Sequence, residues 1–161
     1  KKKINIYANK EALKVLQKKH DYCFFGGQGY IPILKGNIIK KKFLLLKKNE
    51  KITVQSFYVA HGQIKSTAYI IGKLAYISDT NGIFFKDYSK LKELKYLILD
   101  CLKFNFHPSH YNFEQAIKIS KKINAKKTIL TNLHSDLDYN FLKKSLPKNI
   151  IPAHDGMVLN F

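Results

Sequence analysis

Four short apolar runs follow one another between Phe43 and Ser78: "FLLL", "ITVQSFYVA", "TAYIIG" and "LAYIS". Their alternation and their β-branched and aromatic content read as successive strands, with "NEK" and "GK" as tight connections. A chain that makes strand after strand must lay them into a sheet and cover it. The cover comes later. "NFEQAIKISKKINA" is the best helix in the chain, with Asn112 and Gln115 at N-cap and N3 spacing and Phe113, Ala116, Ile117 and Ile123 on one apolar face. "YLILDCL" (Tyr96 to Leu102) reads as a buried strand ending near Asp100. "KKTILT" is another strand, "DYNFLKKSL" a short helix and "GMVLNF" a closing strand. Upstream, "KINIYAN" alternates Ile4 and Ile6 as a strand does, and "KEALKVLQKKH" sets Leu13 and Leu16 at helical spacing. No repeat, low-complexity linker or internal boundary is visible. The expectation is one α/β domain over residues 1–161.

Composition narrows the class. A chain of 161 residues can bury a real core, and 45% hydrophobic with 13% aromatic content lies outside the disordered range. No apolar run approaches the ~20 residues of a membrane span, and Ile4 to Tyr7 is too short for a signal core. The chain starts without methionine, and its one Met is Met157, so a fragment or processed chain is expected. The net charge of +18 comes from 29 basic residues, all lysine. Selected nucleic-acid surfaces use arginine, whose planar fork grips phosphate and guanine, so this excess reads as compositional bias. It still draws anionic substrates. Cys23 and Cys101 both sit in apolar settings without CxxC spacing and read as buried free thiols in a reducing cytoplasm. "FFGGQGYIPIL" (Phe24 to Leu34) lacks a terminal GK[ST] and reads as a turn rather than a phosphate loop.

The histidines carry more. His20 ends a lysine-rich helix, where it suits the helix dipole. His61 follows a strand and precedes Gly62, Asp79 takes the matching place after "KLAYIS", and His134 follows "TILTN". Singly, each is a turn or capping residue. Together, strand-end ligands can converge on one cleft because the sheet fixes their spacing. A hard or borderline divalent metal favours such a mixture of imidazole and carboxylate.

The runs "FYVAHG", "TAYIIGKLAYISDTNGI", "YLILDCLKFNFHPSHYNFEQAI", "TILTNLHSDLDY" and "IIPAHDGM" together resemble the C-terminal part of metallo-β-lactamase-fold hydrolases. Within them the chain looks most like the branch containing phosphoribosyl 1,2-cyclic phosphate phosphodiesterase. The resemblance implies an αββα sandwich, incomplete at its N-terminus, and a hydrolase using two divalent ions, zinc or manganese, on a small anionic phosphoester. It implies His61 as a ligand of the first metal, Asp79 as the carboxylate bridging both, and His134 as a ligand of the second. It also implies that His110, in "HPSHYNFEQA", faces the substrate as general acid or phosphate contact; beside Asn112 it could instead serve the helix N-terminus. His107 and His154 read as loop and turn residues.

Two departures qualify the resemblance. Relatives have a THxxH arrangement where this chain has "TNLHS", with Asn132 in place of the first histidine. The HxHxDH motif that supplies most ligands is absent, so the chain reads as the C-terminal portion of such a hydrolase with little activity alone. A sheet missing strands exposes an edge that invites aggregation or pairing, a homodimer included. The competing readings are a basic nucleic-acid-binding module and a degenerate, inactive scaffold of the same fold.

Overall fold

The computed structural model describes residues 2–47 and 50–161. The chain forms two compact units, residues 1–43 and 44–161. The division falls inside a strand rather than at a Pro/Gly-rich linker, which is why the sequence reads as continuous. The connection read over "NEK" lies in part outside the described residues, at Asn49.

In the first unit, β1 (Ile4–Ala8) pairs in parallel with β2 (Leu34–Ile38), from Ile4 opposite Leu34 to Ala8 opposite Ile38. Between them run α1 (Lys10–Lys19) and the one-turn α2 (Asp21–Phe25). Asn9 starts α1 by accepting the Ala12 N–H at 2.8 Å, a side-chain cap for an orphan donor. His20 closes it as C-cap. Leu13 is buried against β2, and a Cβ at Gly36 would lie 2.7 Å from its Cδ1, so only glycine lets that helix approach. The glycine-rich stretch is a turn closed by a bridge between Gly27 and Tyr30, with its ends taken up by α2 and β2.

The second unit is dominated by a seven-stranded sheet. Its order is β3 (Lys42–Lys47), β4 (Glu50–His61), β5 (Ile64–Ile71), β6 (Leu74–Ile77), β7 (Tyr96–Asp100), β8 (Lys127–Thr131) and β9 (Ile150–Pro152). β5 is antiparallel to both β4 and β6, and β6 through β9 are parallel. It follows that β4, β6, β7 and β8 all run the same way and end on one edge of the sheet. Hairpins need only two-residue turns, whereas each parallel step needs a crossover. The crossovers here are a 3₁₀ helix (Phe85–Leu91), α3 (Phe113–Ile123) and α4 (Tyr139–Ser145). The capping box expected for α3 is present, with Asn112 Oδ1 accepting the Gln115 N–H at 2.9 Å and Gln115 Oε1 accepting the Asn112 N–H at 3.0 Å.

The core gathers on these strands. Ile77, Leu97, Leu99 and Leu130 are fully buried, with Leu91, Ala116 and Leu142 packed into the same cluster. Burial of each leucine or isoleucine is worth about 1.5–3 kcal/mol. The sequence reading needs three corrections. "GMVLNF" is not a strand, because it has no partner; the last strand is Ile150–Pro152, pairing only Thr128, Ile129 and Leu130. Pro152 is tolerated there because β9 is an edge strand. β2 goes unread because Gly36 interrupts the alternation between Leu34 and Ile38, leaving too short a pattern to stand out from the glycine-rich turn before it. Cys101 is buried, but Cys23 is only half-buried. No helix among the described residues is long and apolar enough to cross a membrane.

Candidate metal centre

The shared edge is where the chemistry collects, within residues 44–161. β4 ends on His61, β6 is followed by Ser78 and Asp79, β7 ends on Asp100, and β8 is followed by Asn132. The loop beyond β7 adds His107, Ser109 and His110. His61, Asp79 and His110 each offer a ligand atom, and these atoms lie within 4.8 Å of one another. The His61 and His110 rings meet edge to face, their centroids 4.8 Å apart.

Each imidazole is held through its Nδ1. His61 Nδ1 lies 2.8 Å from the Ser109 carbonyl oxygen. A carbonyl can only accept, so Nδ1 carries the proton and Nε2 presents a lone pair. His110 Nδ1 lies 2.8 Å from Asp100 Oδ2. Asp100 is completely buried, and it also accepts the Thr80 N–H at Oδ2 (2.9 Å) and the Asn132 amide at Oδ1 (2.8 Å). Such a carboxylate behind a histidine fixes its tautomer and ring orientation. Asp79 is held more loosely. Its oxygens are 3.5 Å from Asn132 Nδ2 and from Ser78 Oγ, leaving an exposed carboxylate largely uncommitted. Asp79 and Asn132 both take left-handed backbone, at φ +50° and +62°, the conformation that turns the chain sharply off a strand end and that short polar side chains tolerate.

The surrounding loops are pinned. Asn81 accepts the Gly62 N–H at 3.2 Å and donates to the Pro108 carbonyl at 2.7 Å, tying the β4–β5 turn to the His107–His110 loop. Gly62 has φ +60°, and a Cβ there would lie 3.1 Å from Ser109 Cβ. The His107 ring packs 5.0 Å from His110. Its pKa is lowered, chiefly by desolvation and then by the charges of His110 and Lys103.

The sequence-derived residues therefore separate. His61 and Asp79 come together, and His110 joins them. His134 lies outside this group: its side chain is 58% exposed and its Nδ1 sits 3.1 Å from Asp136 Oδ1. The left-handed turn at Asn132 puts that asparagine, not the histidine two residues on, beside Asp79. His154 is exposed, with Nδ1 3.0 Å from the Asp155 carbonyl. Sequence reading passed over Asp100, Asn81 and Ser109. Asp100 carried a usable signal, since β7 closes on an acid just as β6 leads into one.

The donor set fits a divalent ion. The His61 imidazole, with Nδ1 engaged and Nε2 bare, and the free Asp79 carboxylate are borderline ligands of the zinc or manganese type, with the His110 ring beside them. Two ligands on one zinc at 2.0–2.1 Å can be no more than about 4.2 Å apart, so the present spread closes with small side-chain rotations.

Fold and site together define the class: the chain carries part of the metallo-β-lactamase fold, and the resemblance to metallo-hydrolases of that fold is borne out. Among solved structures it is similar to a diphosphatase of the PhnP family, with TM-score 0.84 and 26% identity over 96% of this chain and 57% of that one. It is similar to the metallo-β-lactamase fold protein YhfI of Bacillus subtilis (TM-score 0.69, 18% identity, 98% and 65% covered). It is also similar to Zn(2+)-bound PqqB of Methylobacterium extorquens (TM-score 0.74, 13% identity, 99% and 65% covered). An octanoyltransferase of Porphyromonas gingivalis W83 is 26% identical over 163 residues, covering 97% of this chain and 32% of that protein. The chain thus spans about a third of that curated relative and under two thirds of these solved chains. No protein-family model matches it.

Proposed function

We propose that these residues form the site of a metal-dependent hydrolase acting on a phosphodiester or cyclic phosphate. The observation that carries this reading is the convergence of His61, Asp79 and His110 to within 4.8 Å, with buried Asp100 behind His110. The resemblance to a PhnP-family diphosphatase supports a phosphate-containing substrate, and the lysine-rich surface favours an anion. When bound, divalent ions (two, by the family resemblance) would supply Lewis acidity and a water of lowered pKa. His61 offers Nε2 as a ligand. Asp79 can face two cations, because its two oxygens are nearly free. His110 holds a proton at Nε2 for the leaving oxygen, and Asp100 steadies the resulting charge through Nδ1. His134 has no part in this arrangement.

The Porphyromonas gingivalis protein is named for acyl transfer, and this chain covers 32% of it. Cys101 is fully buried and its thiol is pushed up to about 12, mainly by desolvation, so it is no acyl carrier. The test uses zinc or manganese uptake by the chain and hydrolysis of bis(4-nitrophenyl) phosphate by a protein that carries it together with an HxHxDH segment. Asp79→Ala should lose both. His110→Ala should keep the metal and slow turnover by about 10²–10⁴. Unchanged metal uptake in Asp79→Ala would sink the reading, and metal loss in His110→Ala would make that residue a ligand instead of an acid.

A further inference from the structure

His107 is the histidine at this edge that the proposed chemistry does not use, and its hydrogen bonding is opposite in sense to that of His61. Both rings are set by the backbone of one residue, Ser109, through the two peptide groups that flank it. The Ser109 carbonyl accepts from His61 Nδ1 at 2.8 Å, whereas the Ser109 N–H donates to His107 Nδ1 at 3.3 Å. An N–H cannot accept, so His107 Nδ1 must be bare and the proton of the neutral ring sits on Nε2. Ser109 Oγ, 3.2 Å away, can add a second donor to that Nδ1. Among the described residues no hydrogen bond reaches His107 Nε2. The half-buried ring stands beside His110, with 5.0 Å between centroids, and His110 in turn meets His61 at 4.8 Å.

We propose that His107 is a substrate-contacting residue whose Nε2–H donates to a phosphoryl-type anionic oxygen at the rim of the cluster, and that the backbone N–H and C=O of Ser109 set the opposite tautomers of His61 and His107. This rests on the hydrolase reading of the same site and names a binding group within it. One residue's backbone thus sorts two rings by role, a bare nitrogen for a cation at His61 and a polar hydrogen for an anion at His107. A neutral donor suits the place, because a second positive ring beside a bound ion would be repelled. Lys103, close enough to disfavour a charge on His107, draws the same anion. The geometry is braced: Pro108 is held by Asn81 at 2.7 Å, and Ser109 is confined by the close approach of Gly62.

The test needs no turnover. Long-range proton–nitrogen NMR on the ¹⁵N-histidine-labelled chain should show His61 protonated at Nδ1 and His107 protonated at Nε2. Inorganic phosphate, titrated with and without Zn²⁺, should shift the His107 Nε2–H. His107→Ala should weaken phosphate binding by about 10-fold, His107→Gln should recover part of it, and Zn²⁺ affinity should be unchanged in both. A proton on His107 Nδ1, or His107→Ala binding phosphate as tightly as the parent, would overturn the proposal. Zn²⁺ that leaves the His61 signals unmoved would instead count against the hydrolase reading, while the phosphate response at His107 is scored by itself.

Discussion

Residues 1–43 and residues 44–161 both place parallel strands beside helices, yet they bury very different cores. In the first unit Leu13 and Phe24 are the buried hydrophobic side chains among the described residues, and Ile4, Phe25, Tyr30 and Ile31 stay well exposed. In the second, Val59, Ile77, Leu97, Leu99 and Leu130 are all sealed. The difference is one of strand number. A lone parallel pair gives a helix little surface to cover, whereas seven strands give a continuous face against which crossovers close. The candidate site belongs wholly to the second unit. Its side chains need spacings held to fractions of an ångström, and a well-packed sheet edge supplies that.

The largest expected effect tests this contrast directly. Leu99→Ala, in the middle of the seven-stranded sheet, should cost about 2–5 kcal/mol by chemical denaturation, with Leu13→Ala near the lower end of that range. Equal or reversed losses would break the contrast. Asp100→Asn keeps the shape but sets amide hydrogens against donors from Thr80, His110 or Asn132. It should cost about 1–3 kcal/mol and weaken metal binding or turnover about 10–100-fold, read by urea unfolding and by metal dialysis. Gly62→Ala should cost about 1–2 kcal/mol for its left-handed backbone, plus the clash with Ser109. Gly72→Ala, with φ +55° but nothing within 4 Å of its Cβ, is the matched control and should pay the backbone part alone. A smaller penalty at Gly62 than at Gly72 would mean that the site loops are less firmly pinned than described.

The smallest effect concerns pH. His107 has its pKa lowered from 6.5, so the unfolded chain takes up this proton before the folded one does. Its contribution is nil well above pH 6.5 and becomes destabilising as pH falls through that value. An NMR titration midpoint below 6.5 is the check, and a midpoint above it would contradict the described surroundings.

Much of the second unit was legible. β4 to β8, α3 and its capping box followed from periodicity and cap spacing, and His61 and Asp79 stood out as residues at strand ends. The misses share a cause. "GMVLNF" has strand-like composition and no neighbour to pair with, whereas Ile150–Pro152 has three residues and a proline but lies beside β8. His134 sits in a motif-like position, yet the turn at Asn132 spends its hydrogen bonds on Asp100 and Asp79 instead. His107 looked like a loop residue because its partner is the Ser109 N–H, and the carbonyl of that same residue holds His61, 48 positions before Ser109.

By itself the sequence determined which stretches are strands and helices, that the fold is α/β, and that acids and histidines sit where strands stop. Those are local properties, written in periods of two and 3.6 residues and in caps three residues apart. Only the tertiary structure decided which strand ends share an edge, that Asp100 is the buried hub between His110, Thr80 and Asn132, and which nitrogen of each imidazole is free. These depend on strand direction and on hydrogen bonds between residues far apart in sequence, and no local pattern encodes a partner at that range.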